Sequence, residues 1–177
     1  MDEILSSFSC ERDPDIESFL RNKAIEFECL SKARTYLICD ETVLTEKGKL
    51  YILGYISLAL KVLHVPEGFS VRKRKELDGY RGKINDELIT DIPCYLIGQL
   101  ARNDGVTHDQ IAGSDLIEEA HRIIMESVNS VGGRFMMIEC HNEQKLLDFY
   151  HENGFNEFSN EADGDLPMIQ MLCKIVD

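Results

Sequence analysis

The chain lacks an apolar run long enough to cross a membrane. Its longest, Leu50 to Leu63, is interrupted by Gly54, Ser57 and Lys61 and is too short and too polar to span a bilayer. The N-terminus, Met1-Asp2-Glu3, has no basic region followed by an apolar stretch, so no secretory signal is expected. None of the six cysteines (Cys10, Cys29, Cys39, Cys94, Cys140, Cys173) lies two or four residues from another, which leaves out the spacing of a zinc site. Internal repeats and low-complexity segments are missing too. These absences suggest a cytoplasmic protein with reduced, buried thiols and no metal. Cys140 and His141 are adjacent in a strand-like stretch and so point to opposite faces, which argues against a nucleophile–base pair. Positive charge is also scarce: 19 Lys and Arg stand against 32 Asp and Glu, a net charge of -13. Phosphate contacts need positive surface, so a general nucleic-acid binder is not expected, and a cationic or amine-bearing partner suits the balance better. The basic residues that exist are concentrated. Residues 72–83 hold Arg72, Lys73, Arg74, Lys75, Arg81 and Lys83 against Glu76 and Asp78. Such a run reads as a solvated loop face or as a docking patch for an anion.

What is present is an ordinary globular composition, 44% hydrophobic and 29% charged, in 177 residues, enough for one core and short for two. Strand-like and helix-like stretches alternate with no shift in composition. Phe8 to Cys10 reads as a short strand. Asp13 or Asp15 can cap a helix running to about Ala33, with Pro14 in its first turn and Ile16, Phe19, Leu20, Ala24, Phe27 and Leu30 at helical spacing. Arg34–Asp40 reads as a strand, Asp40–Lys49 as a turn, and Tyr51–Leu60 as a second strand antiparallel to the first. Val71–Thr90 shows little periodicity and reads as a mobile connection. Ile92–Ala101 is apolar on both faces and belongs at the centre of a sheet. A polar loop then leads to a helix from about Gly113 to Val131, ended by Gly132-Gly133. The strand Arg134–Cys140 follows, so the unit strand–helix–strand implies a parallel pair with a right-handed crossover. Asn142 is expected to cap a short helix stopped by Gly154, before an edge hairpin of Phe155–Phe158 and Met168–Val176 that also offers a surface for a homodimer. The predicted architecture is a single-domain α/β fold with a mixed central sheet flanked by helices, spanning residues 1–177.

The strongest ligand signal is the junction from Leu96 to Leu116, where a buried strand runs through a polar loop into a helix N-terminus. Unpaired N–H groups and the positive end of the helix dipole favour phosphate there. Gly113 admits an anion close to the backbone, and Ser114 can add a hydroxyl. This stretch, Leu96-Ile97-Gly98-Gln99-Leu100-Ala101-Arg102 followed by His108-Asp109-Gln110-Ile111-Ala112-Gly113-Ser114, resembles the acetyl-CoA motif of the GNAT acyltransferase superfamily. Asn142 with Phe149-Tyr150-His151-Glu152-Asn153-Gly154-Phe155 is similar to that family's Asn…Phe-Tyr-x-x-x-Gly-Phe signature. Phe19-Leu20, Ala24, Arg34-Thr35-Tyr36-Leu37 and Gly54-Tyr55 extend the likeness to the N-terminal half. The chain departs from the pattern at His108, where the family has Arg or Gln, and at Ile111, where it has a glycine. A branched side chain there is expected to crowd a diphosphate.

The resemblance implies a GNAT-like N-acetyltransferase that moves an acetyl group from acetyl-CoA directly to an amine on a small molecule, peptide or protein. It implies that Leu100, Ala101 and Arg102 pair with the pantetheine arm, that the Leu100 N–H faces the thioester carbonyl, and that Asn142 fixes the pantetheine or the adjacent carbonyls. The turn formed by His108, Asp109, Gln110, Ile111, Ala112, Gly113 and Ser114 would hold the diphosphate. Tyr150 matches the acid that protonates the departing thiolate. Glu139, Asp104 and His108 are candidates for the base. Two other outcomes stay open: a catalytically degenerate binding or regulatory module, and a toxin-like enzyme acting on aminoacyl-tRNA.

Overall fold

A short helix, α1 (Asp2–Leu5), opens the computed structural model, which describes residues 2–48, 50–161 and 168–175. Phe8 to Cys10 is not a strand. Among the described residues no ladder partner faces it, and the side chain of Asn103 holds it instead. Asn103 accepts from the Ser9 N–H at 3.3 Å and donates to Ser7 O at 3.2 Å and Ile52 O at 2.9 Å. It also accepts from the Gly105 N–H at 3.2 Å and is 2% exposed. Asn103→Ala strands these backbone groups away from water and should cost about 2–4 kcal/mol, read as a lowered denaturation midpoint with m unchanged.

Helix α2 (Pro14–Asn22) starts as expected, with the Asp13 carboxylate accepting from the N–H groups of Asp15 and Ile16 at 3.1 and 3.3 Å. The single long helix is in fact two. Lys23 leaves helical geometry at φ -123°, and α3 (Ala24–Cys29) follows. It stops before Ala33 because Ser31 turns left-handed at φ 55° and Lys32 N–H returns to Phe27 O at 2.9 Å. Strand β1 (Arg34–Cys39) leads not into a turn but into helix α4 (Glu41–Lys47), since Asp40 accepts from Val43 N–H at 3.0 Å and starts a helix in that charged segment; Lys49 lies outside the described residues. Strand β2 (Ile52–His64) runs past Leu60.

Residues 71–90 are ordered structure and not a loose connection. Ser70 accepts from Lys73 N–H at 3.2 Å and opens helix α5 (Val71–Asp78), which Gly79 ends at φ 88°. A hairpin of β3 (Lys83–Ile84) and β4 (Glu87–Leu88) turns at Asn85 and Asp86, both at positive φ, as a tight two-residue turn requires. Then come β5 (Asp91–Arg102), α6 (Gly113–Val131), β6 (Phe135–His141), α7 (Gln144–Glu152), β7 (Asn156–Glu161) and β8 (Met168–Lys174). Val176, the last residue of the expected final strand, lies outside the described residues. The N-cap of α7 is Glu143 and not Asn142, which sits exposed in the bend after β6.

The main sheet has the order β1-β2-β5-β6-β8-β7, antiparallel throughout except for the parallel pair β5–β6. Helices α6 and α7 cover one face, packing Leu116, Ile124 and Tyr150 on Ile56, Tyr95 and Ile97. On the other face α1 and α2 lie over Tyr55 and Ala101, while α5 places Leu77 against Cys94, Phe135 and Met137. Among the described residues no helix is long and apolar enough to cross a membrane.

Candidate active site

The parallel pair at the centre of the sheet is short. β5 and β6 register only at Tyr95↔Met136 and Leu96↔Met137, although β5 continues to Arg102 and β6 to His141. Each strand stays paired on its other side, β5 with β2 out to Gly54↔Arg102 and β6 with β8 out to His141↔Met168. The sheet therefore divides into two halves beyond Leu96. A bulge accounts for the divergence: Ser57 pairs with Gln99 and Leu58 with Ile97, so Gly98 is an extra residue without a partner on β2. Bulges bend and twist the strand that carries them. Gly98 is exposed in the middle of a central strand, and a Cβ there would meet nothing nearer than Leu96 Cδ2 at 3.7 Å. Crowding by protein atoms does not demand glycine at this position; its lack of a side chain keeps the floor of the split clear.

The ladder with β2 fixes which backbone groups face the split. Asn103 N–H donates to Leu53 O at 2.9 Å, so alternate residues Ala101 and Gln99 bond toward β2. The N–H and C=O groups of Leu100 and Arg102 then point away from β2, into the gap. The Leu100 side chain packs against the cluster that contains Tyr150, Ile111 and Leu116, so the split, the loop after β5 and the signature helix converge on one side of the sheet.

Tyr150 is 9% exposed, with its ring edge-on to Phe155 at 5.9 Å and tilted on Phe149 at 5.1 Å. Burial pushes its phenol well above the usual tyrosine value, with smaller contributions from Cys140 and Asp13. The group therefore stays protonated through neutral and mildly alkaline pH, the state a proton donor needs.

The turn after β5 is tighter than its sequence suggests. Gln110 and Ile111 N–H groups return to Thr107 O at 3.1 and 3.4 Å, and Ala112 N–H is taken by the Asp115 carboxylate at 2.7 Å. Among the described residues this narrows the turn's available amides to those of His108 and Asp109 and of Gly113 and Ser114, the last two at the first positions of α6, whose N-cap residue, Ala112, has no side-chain acceptor. Arg102 Nη1 donates to Ile111 O at 3.3 Å and sets a positive charge beside this end of the helix; Asp115 sets a negative one. His108, Asp109 and Gln110 are exposed. The side chain of Ile111 is not in the turn's mouth. It is 7% exposed and part of the core, so it leaves the backbone face of the turn open to an anion. Gly113 has a packing reason of its own: a Cβ would lie 2.9 Å from Phe149 Cζ, which ties the start of α6 to the residue before Tyr150. Backbone donors in the split, two amides at the start of a helix and an adjacent guanidinium together suit a long ligand with an anionic end.

Sequence reasoning did not find Asn103, Gly98 as a bulge, or the cluster around Glu139. Lys61 Nζ lies 2.5 Å from Glu139 Oε1, which also accepts from Gln170 Nε2 at 3.1 Å. Among the described residues no group of three or more His, Cys, Asp or Glu side chains could hold a metal ion.

No protein-family model matches this sequence, and no curated protein does. Solved structures do. The crystal structure of AtaTR bound with AcCoA is 20% identical, with a TM-score of 0.71 over 97% of this chain and 86% of that one. A tyrosine-to-phenylalanine mutant of KacT is 18% identical, with a TM-score of 0.70 over 99% of this chain and 91% of that one. AtaT complexed with acetyl-methionyl-tRNAfMet is 20% identical, with a TM-score of 0.67 over 93% and 85%. The fold is the GNAT fold. In particular, this chain shares it with AtaT, a toxin, and with KacT.

Proposed function

We propose that residues 1–177 form one N-acetyltransferase domain, working in the cytoplasm, which passes an acetyl group from acetyl-CoA to a primary amine by direct attack in a ternary complex. The observation that carries this reading is the split between β5 and β6, with the Leu100 N–H facing into it and Tyr150 in the cluster on its α6 side. In this reading the pantetheine arm lies along Leu100 to Arg102 as an added strand would, and its diphosphate lies at Gly113 and Ser114 beside Arg102. The Leu100 N–H is aimed where negative charge develops on the carbonyl oxygen, and Tyr150 gives its proton to the departing sulfur. The AcCoA-bound neighbour AtaTR supports the choice of thioester. Calorimetry with acetyl-CoA, followed by thiol release with a panel of amines, tests it. Binding without release on any amine would favour a degenerate binding module.

A second observation bears on the acceptor. On the sheet face opposite α6, helix α5 presents Arg72 and Lys75, which with Glu76, Gly79 and Arg134 line a cavity of about 410 Å³. Exposed Tyr80 lies beside it, under the Arg81 guanidinium. This concentration of positive charge in an acidic chain, and the neighbour AtaT complexed with acetyl-methionyl-tRNAfMet, favour an aminoacyl-tRNA as the amine carrier. Arg72→Glu with Lys75→Glu is then expected to lower kcat/KM on aminoacyl-tRNA by at least about tenfold while leaving small amines unaffected, since phosphate contacts position the nucleic acid and do no chemistry. Equal losses on both acceptors would remove the tRNA reading.

A further inference from the structure

One row of side chains on the face covered by α2 and α5 is polar where its surroundings are apolar. Thr35 on β1 pairs with Ser57 on β2, and Ser57 pairs with Gln99 on β5. Leu96↔Met137 is the last pair before the split. Two residues on along β6, on the same face, is Glu139, whose partner on β8 is Gln170. Allowing for the bulge at Gly98, Gln99 and Glu139 thus stand in the same row on opposite lips of the split. Ser57 is 2% exposed and accepts from Thr35 Oγ1 at 3.3 Å; Gln170 is 1% exposed. Gln99 Oε1 is fully buried and, among the described residues, has no hydrogen-bond partner, an arrangement that costs stability unless something else donates to it.

The ammonium of Lys61 reaches from β2 past β5 to Glu139 on β6, and so bridges the two halves of the sheet at the start of the gap. Glu139 uses only Oε1 for Lys61 and Gln170. Among the described residues Oε2 has no hydrogen-bond partner. Both ionic side chains are partly open to solvent, at 36% and 24% exposure. Among the described residues the charged group paired with Glu139 is Lys61 from β2; β5 places Gly98 and Gln99 at this level, and β8 presents Gln170.

We propose that this row is the seat of the acceptor's primary amine, with Glu139 as its ion partner and proton acceptor, Gln99 Oε1 as a second acceptor, and Lys61 as an internal stand-in for the substrate's ammonium. The inference rests on the acetyltransferase reading and deepens it. The incoming ammonium displaces Lys61 and gives one proton to Glu139, which frees the nitrogen lone pair. That pair forms the N–C bond to the thioester carbonyl carbon; the C–S bond breaks with its electron pair going to sulfur, which takes the Tyr150 proton. The nitrogen loses its second proton as the amide forms. Overall, ammonium and thioester give amide, thiol and one proton, and Glu139 and Tyr150 return to their starting states by exchange with water. The two groups work from opposite faces of the sheet, the acid on the α7 side and the base on the α5 side, with the gap between them.

The seat can be tested without acetyl-CoA by titrating the full chain with ethylamine hydrochloride, and in parallel with ethanol, while following the Gln99 side-chain amide and the backbone of residues 138–140 by NMR. Lys61→Met is expected to bind ethylammonium at least about fivefold more tightly than the wild type, because the competing internal ammonium is gone. Lys61→Met with Glu139→Gln should lose that gain, ethanol should not titrate, and Lys61→Arg, which keeps the ion pair, should behave as the wild type. Equal titration of Lys61→Met and the double variant, or no saturable shift in either, overturns the seat. In the enzyme assay Glu139→Gln should lower kcat/KM at least about tenfold, with the acetyl-CoA Kd within about twofold of wild type and the acid limb of the pH–rate profile lost. An unchanged rate and profile overturns the proton-accepting role. Failure to bind acetyl-CoA would end the acetyltransferase reading and leave the amine seat to the titration.

Discussion

Tyr150→Phe should cut turnover by about a hundredfold, the low end of what a positioned proton donor contributes, while leaving the acetyl-CoA Kd within about twofold. The substitution is a clean one in this fold. The ring's contacts are with Phe149 and Phe155, both made by carbon, and phenylalanine keeps them. The phenol accounts for none of the ring packing, so the melting temperature should hardly move. A loss of rate would then be chemical. Burial raises the phenol's pKa, so the proton is retained well beyond the pH at which a free tyrosine gives it up. Two consequences follow from the sign. The pH–rate profile of the wild type should have no alkaline limb owed to this residue below about pH 10, the value of an unperturbed tyrosine. Above that pH the unfolded chain ionises Tyr150 before the folded one does, so its contribution to stability is lost as pH rises. A fall of less than tenfold in Tyr150→Phe, with chemistry rate-limiting, would take the residue out of the mechanism.

Arg74→Met should cost about 3–5 kcal/mol, because several buried carbonyls each lose a donor at about 1–3 kcal/mol. Arg74 is 1% exposed, and among the described residues no carboxylate holds its guanidinium. It donates to backbone oxygens alone: Nε to Phe69 O at 3.1 Å, Nη1 to Val65 O at 3.5 Å and to Ile89 O, and Nη2 to Pro66 O at 2.6 Å and Glu67 O at 3.3 Å. These carbonyls belong to the links that leave β2 and enter β5, so one side chain ties both ends of the α5 insertion to the sheet. Methionine keeps the stem and the volume but removes the guanidinium's donors, leaving Pro66 O with only the Phe69 N–H at 3.0 Å. For a domain of this size each kcal/mol moves the melting temperature by about 2–4 °C, so a drop of roughly 6–20 °C is expected. Arg74→Lys should fall between, since one ammonium cannot span so many acceptors. The effect should appear as unfolding of the whole chain, because α5 shares the Cys94, Phe135 and Met137 cluster with the central strands.

Periodicity was a reliable guide wherever an element has enough buried side chains to show it. Helix α6 has Leu116, Ile117, Ala120, Ile123 and Ile124 buried, and its limits were readable to the residue. The strands β5, β6 and β8 came through for the same reason, whereas β1, with no fully buried side chain, was marked by its run of Thr, Tyr, Leu and Ile. Helix α5 did not, because its buried residues are Leu77 and Arg74, and an arginine in a basic run gives no sign that it is inside. The fourth helix is short and charged, and only its Asp40 cap hinted at it. Ile111 reads as an obstacle to a diphosphate because spacing places a residue in a turn without saying which way it points; its side chain belongs to the core.

What the order of amino acids determined alone is local: where helices begin, which faces are apolar, and that a buried strand runs into a loop, a helix and a Tyr-bearing signature. The opening between β5 and β6, the direction of the Leu100 N–H, the contact of Lys61 with Glu139 and the placing of Gln99 in the same row were decided only by tertiary structure. Each depends on register between strands distant in sequence, and one bulge at Gly98 resets that register for everything after it. A bulge is a relation between two strands, and no single stretch of sequence contains it.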